Sequence, residues 1–135
     1  TEFKTRAGSL SAQYSGYEPI AGLKVNGDLT LGENIGDLGG LTVALTAYHK
    51  SLSGQPAPVM DGFTGDQRVF LGWAQVWRIK YREDALRQRI MTDPHSPGEF
   101  RVLGVMPNID GFYSAFDVKE GDKMYIAPEK RVRIW

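Results

Sequence analysis

The sequence predicts a mainly α fold with one or two short strands, and three observations carry that reading. Apolar residues recur at three- and four-residue steps from Asn34 to about Lys50. A second run, Asp66 to Arg82, places Phe70, Trp73, Trp77 and Tyr81 near one helical face. Clusters of Gly, Pro, Ser and Asn punctuate the chain between such runs, and no internal repeat or low-complexity tract interrupts it. At 135 residues the chain is one domain or part of one.

Taken in order, residues 2–15 form a short helix ended by Gly16 and Pro19, and Asn26-Gly27-Asp28 marks a turn. The helix over 34–50 presents Ile35, Leu38, Leu41, Leu45 and Tyr48. Residues 51–65 are a loop. Asp66 is placed to cap the helix over 66–82, and Glu83 and Asp84 put negative charge at the start of a third helix ending near Met91. Pro94, Pro97 and Gly98 exclude helix interior around His95. Phe100 to Met106 reads as extended, and a last helix over 108–117 presents Ile109, Phe112 and Phe116.

Composition excludes several function classes. The hydrophobic share of 41% and charged share of 24% are those of a globular chain, and 16 basic residues balance 16 acidic ones. No net field favours nucleic acid, and Lys130-Arg131-Val132-Arg133 reads as a solvated edge rather than a binding patch. With no cysteine, disulfides, thiolate metal sites and cysteine nucleophiles are excluded. No run of about 18 apolar residues offers a membrane span. The chain opens Thr-Glu-Phe-Lys, without Met or a signal peptide, so targeting information is expected upstream.

Two constellations carry chemistry. Glu33 and Asp37, four apart at the start of the second helix, put both carboxylates on one face, where a cation would relieve their repulsion. Zinc accepts such oxygen ligands, and a carboxylate one turn on can instead orient a ligating histidine. On spacing alone the pair is equally the ordinary acidic first turn of a helix. In Asp93-Pro94-His95-Ser96-Pro97-Gly98-Glu99-Phe100-Arg101, flanking prolines restrain His95. It and Arg101 are candidate donors to a developing oxyanion and a substrate carbonyl. A loop histidine bonded to backbone fits the same residues. His49 lies in no such setting and reads as surface.

The surrounding text separates these alternatives. Leu31-Gly32-Glu33-Asn34-Ile35-Gly36-Asp37-Leu38-Gly39-Gly40-Leu41 resembles the GENIAD-x-GGL segment of the neprilysin family of zinc metallopeptidases, which includes endothelin-converting enzymes and bacterial oligopeptidases, with Gly36 in place of the usual Ala. Residues 93–101 resemble its D-x-HSPG-x-FR motif, and Phe70 to Trp77 its FF-x-x-(F/W)AQVW helix. The closing Tyr125 to Trp135 is similar to MNPEKKCRVW, with Val132 at the usual cysteine.

The resemblance implies the C-terminal portion of a helical, thermolysin-related catalytic domain. It implies Glu33 as a zinc ligand, Asp37 as support for an upstream histidine, and His95 as the transition-state donor oriented by Asp93. Arg101 is implied as a binder of substrate backbone, and Val76 and Trp77 as the pocket for a substrate side chain. Core packing is an alternative role for Trp77. Oligopeptides are the implied substrates, and an extracytoplasmic site, whether periplasmic, secreted or membrane-anchored, the implied location.

Gly39 and Gly40, costly by about 1 kcal/mol each in a helix, suggest a close approach by another backbone. The family's HExxH motif is absent from these residues, so the chain alone is expected neither to retain zinc nor to cleave peptides. The second reading, from another class, is a non-catalytic binding module descended from the same family. Separation from the upstream HExxH part would leave the Leu38/Leu41/Leu45 and Trp73/Trp77 faces partly bare and promote self-association.

Overall fold

The computed structural model describes all 135 residues as six α-helices: α1 (Glu2–Ser15), α2 (Leu31–Ser51), α3 (Gly65–Val76), α4 (Glu83–Thr92), α5 (Gly98–Leu103) and α6 (Asp110–Phe116). Short 3-10 turns occupy Met106–Asn108 and Pro128–Lys130. There is no strand. The only β pairing is two isolated bridges, Ile20 with Leu23 and Met60 with Phe63. No helix is long and apolar enough to cross a membrane.

α1 packs on α2, and α3 packs on α6. Leu38, Leu41 and Leu45 bury one stripe of α2 against Leu10 and Tyr14 of α1, Phe70 of α3, Phe100 of α5 and Phe112 of α6. Phe70, Phe112 and Phe116 meet edge-on or tilted, with centroids 5.4–6.2 Å apart. Phe70 is wholly buried, and truncating such a ring costs about 3–5 kcal/mol. Tyr14 is equally buried, and its hydroxyl donates to the Phe100 carbonyl at 3.1 Å. Burial, and then the neighbouring Tyr17 and Asp37, push this phenol far up from its usual range.

Several elements differ from expectation, each for a local reason. Phe100 to Met106 is apolar enough to read as a strand, but no partner strand exists. Pro97 instead starts a helical turn, its carbonyl accepting from the N–H groups of Phe100 and Arg101. α3 stops at Val76 because Ile79 N–H turns back onto the Trp77 carbonyl at 2.7 Å, taking residues 77–82 out of the helix. Its cap is Thr64 rather than Asp66. Thr64 and Gln67 form a reciprocal capping box, which frees Asp66 to meet His49 Nε2 at 2.7 Å.

The leucine stripe expected to be partly bare is buried, while Trp73 and Trp77 are half-buried; the apolar residues that do stand exposed lie elsewhere, among them Val43, Val59, Val76, Met91 and Trp135. No second backbone approaches Gly39 or Gly40. A Cβ at Gly39 would meet the Trp135 indole at 3.1 Å, and at Gly40 it would meet nothing within 4 Å. In the basic tail Lys130 and Arg133 are exposed, as a solvated edge should be, but Arg131 is not: it pairs with Asp110 and stacks on Tyr113.

Candidate active site

The site is built where the first turns of α2 face the loop joining α4 to α5. α2 begins three residues earlier than the apolar period indicates, which sets Glu33 in its first turn, where the helix dipole favours a carboxylate. Its side chain is 46% exposed, and Oε2 lies 3.2 Å from His95 Nε2. Asp37, one turn on, is 7% exposed. It accepts two hydrogen bonds from Arg101, Nε to Oδ2 and Nη2 to Oδ1, each 2.6 Å. The repulsion foreseen between the two carboxylates is thus relieved within the chain: Glu33 faces an imidazole, and Asp37 a guanidinium.

Asp93 sits at the C-terminal cap of α4 and holds His95 from behind. Its Oδ1 accepts the His95 backbone N–H at 2.8 Å and faces the ring Nδ1 at 2.8 Å. Its Oδ2 meets Arg89 at 2.7 Å. Partial burial pushes the Asp93 carboxyl up, but the His95 contacts and the Arg89 charge outweigh it and hold the group below its ordinary range. Both nitrogens of His95 face a carboxylate, and each contact is a hydrogen bond when that nitrogen carries its proton. Pro94 and Pro97 restrict the backbone on either side. A Cβ at Gly98 would strike the Trp77 carbonyl at 2.7 Å, so glycine lets the loop close onto the end of α3.

Arg101 is held at both ends by tryptophan. Its guanidinium carbon lies 3.8 Å from the Trp77 ring centroid, and its carbonyl accepts from Trp73 Nε1 at 2.8 Å. Burial pulls the guanidinium pKa down, but the Asp37 hydrogen bonds and charge, with Glu33 beyond, raise it overall. Nε and Nη2 are committed to Asp37, which leaves Nη1 with no hydrogen bond in the chain. The Val76-Trp77 pair divides: Trp77 lies against Arg101, while Val76 is 66% exposed at the end of α3. His49, as read from its setting, is outside this group, paired with Asp66 on the outer surface.

Two further residues join the constellation, Asn34 and Ser96, each next in sequence to a candidate functional residue and each 1% exposed. Ser96 Oγ donates to Asn34 Oδ1 at 2.8 Å across 62 residues of chain. A signal for Asn34 was available, because it continues the Leu38, Leu41, Leu45 stripe one turn back, at a buried position. Nothing local singles out Ser96.

The model of peptidase family M13 matches residues 1–132 of this chain. The chain is 37% identical over 134 residues to the neutral endopeptidase of Lactococcus lactis subsp. lactis, covering 98% of this chain and 20% of that protein. It is 39% identical over 137 residues to endothelin-converting enzyme 1 of Mus musculus, covering 98% of this chain and 17% of that one. The Mycobacterium tuberculosis zinc metalloprotease Zmp1, solved in complex with an inhibitor, superimposes with a TM-score of 0.97 at 54% identity, over 99% of this chain and 21% of that one. The chain therefore spans about a fifth of the length of these relatives. Matched by the family model almost from end to end and sharing the fold of a solved zinc metalloprotease, the chain belongs to peptidase family M13.

Proposed function

We propose that this chain supplies one wall of the active site of a zinc-dependent endopeptidase acting on oligopeptides, the remaining wall coming from an upstream part of the same polypeptide that carries HExxH. The observation that carries the reading is the convergence of Glu33 with His95, flanked by Asp37 with Arg101, from segments more than 60 residues apart. An extracytoplasmic location accords with this reading.

The chain's own donors do not make a metal site. No three His, Cys, Asp or Glu side chains converge on one point. Glu33 fits a zinc site as a single contributed carboxylate, half-exposed and free to turn from His95, and two or three more ligands must come from elsewhere. Zinc in such a site supplies Lewis-acid chemistry at the scissile carbonyl and its attacking water. By itself the chain is inactive and holds no stoichiometric zinc.

The chain's residues then have separate tasks. His95, braced by Asp93, donates to the oxyanion as it develops, where a fixed donor counts most. Arg101 offers Nη1 to a substrate carbonyl while Asp37 fixes its plane through the other two nitrogens. Each Asp37 oxygen keeps a second lone pair able to accept the N–H of an upstream zinc-binding histidine. Trp77, with Val76 beside it, borders the pocket for the side chain after the cleaved bond.

The decisive test is His95→Ala in the complete polypeptide. Loss of such a donor lowers turnover about 100- to 1,000-fold, so a kcat unchanged within a few-fold removes His95 from the mechanism. A complete polypeptide that folds and binds peptides without cleaving them favours the binding-module reading.

A further inference from the structure

We infer that Asn34 and Ser96 are a positioning pair that sets the distance between Glu33 and His95. The inference rests on the roles proposed above for those two neighbours. Ser96 and Asn34 do not themselves face the open side of the site, being buried between α2 and the loop. Their bond is one link of a directed chain. Ser96 Oγ donates to Asn34 Oδ1 at 2.8 Å, Asn34 Nδ2 donates to Thr30 Oγ1 at 3.0 Å, and Thr30 Oγ1 donates to the Asn26 carbonyl at 3.0 Å.

The relay ends on a turn that is anchored in its own right. Ser11 of α1 donates to Asp28, and Ser15 of α1 accepts from Gly27 N–H. Asn26 Oδ1 accepts from Leu29 N–H at 3.0 Å. Every member has a donor or acceptor matched to its neighbour, so sliding the loop along α2 breaks at least one buried hydrogen bond. Glu33 and His95, by contrast, are both more than 40% exposed and touch at 3.2 Å; Asp93 sets the ring of His95, but it lies on the same loop and does not tie that loop to α2. The adjacent buried pair supplies that constraint. Asp37 with Arg101, Trp73 and Tyr14 fix the α5 end of this segment; the Asn34–Ser96 bond, three residues nearer the start of α2, fixes the end that carries His95.

The test uses the complete polypeptide with Ser96→Ala, Asn34→Ala, the double variant and His95→Ala side by side. Misplacement of a reacting group by about 1 Å costs on the order of 100-fold, so each single variant should lower kcat about 10- to 100-fold while KM changes less than about threefold. The double variant should be no worse than the worse single, because both delete the same link. Ser96→Thr, which restores a hydroxyl, should recover most of the loss.

A second readout does not depend on turnover. Crystal structures of Ser96→Ala, or of Ser96→Cys if the alanine variant does not fold, should show the Glu33–His95 spacing widened by about 1 Å or more. The inference is overturned if that spacing is unchanged, or if kcat holds within about twofold while thermal stability falls. If His95→Ala itself leaves kcat intact, the proposed function fails and the positioning claim is judged on the spacing alone.

Discussion

Asp37 and Asp110 each engage arginine through both carboxylate oxygens, yet their surroundings are opposite. Asp37 meets one guanidinium in a two-bond fork, with side-chain exposures of 12% for Arg101 and 7% for Asp37. Asp110 meets two guanidinia, Arg131 at 2.8 Å and Arg133 at 2.5 Å, but is itself 56% exposed. The chemistry is shared and the dielectric is not. In the buried pair neither partner can be removed without stranding a charge. In the second, water reaches Asp110 and Arg133, and the buried Arg131 keeps the Tyr113 ring and the Ile126 carbonyl if Asp110 is lost. The first arrangement holds the candidate active site together, while the second pins the C-terminal strap to α6.

The sharpest break of this contrast is Asp37→Ala. It leaves the Arg101 guanidinium against the Trp77 face with only the more distant Glu33 as a counter-charge, and breaking a buried pair from one side costs about 3–5 kcal/mol. Chemical denaturation should therefore register a loss several times that of any surface pair. A loss below about 1 kcal/mol would mean that water enters the pair, and the contrast would collapse.

Arg101→Lys sharpens the same point with the charge retained. An ammonium cannot make the planar two-bond fork or stack on Trp77 as a guanidinium does, so an intermediate loss of about 1–3 kcal/mol is expected. A lysine variant as stable as the parent would show that charge alone, without the fork, holds Asp37.

These two residues also show what the sequence discloses and what it withholds. A local rule, four-residue spacing on a helix, puts Glu33 and Asp37 on one face, but it is the resemblance of residues 31–41 to a family motif that marks them as site residues. Asp93 as the support of His95 is likewise what the resemblance of residues 93–101 implies, and the two residues do meet in the structure. The Asp37–Arg101 fork spans 64 residues and the Asn34–Ser96 bond 62, and no periodicity encodes a contact across such distances. Buried leucines on α2 were readable as a stripe, but which surface covers them was not. Around α5, Phe100, Val102 and Val105 suit a strand, and only the absence of a partner strand decides otherwise. Thr64 and Gln67 carry the spacing of a capping box in the sequence itself, two residues before the acidic Asp66 that also suits a cap.

The smallest effect belongs to Asp110→Ala, and its pH and salt dependence tests why. The Arg131 hydrogen bond, only partly opposed by burial, and the nearby Arg133 hold the Asp110 carboxyl below its ordinary range. A carboxyl depressed on folding contributes stability that is fully present above its unfolded pKa. That contribution is lost as pH falls through the folded value. The stability difference between the parent chain and Asp110→Ala should therefore be constant around neutrality and shrink below about pH 4. At neutral pH it should not exceed about 1 kcal/mol, because Asp110 is exposed and the largely buried Arg131 keeps two other partners, the Tyr113 ring and the Ile126 carbonyl. Raising salt from about 0.1 to 1 M should reduce it further, since the screening length falls from about 10 to 3 Å. A difference that persists unchanged into acid and high salt would show that Asp110 acts by shaping the start of α6 rather than by its charge, and the comparison with Asp37 would then rest on packing instead of on burial of an ion pair.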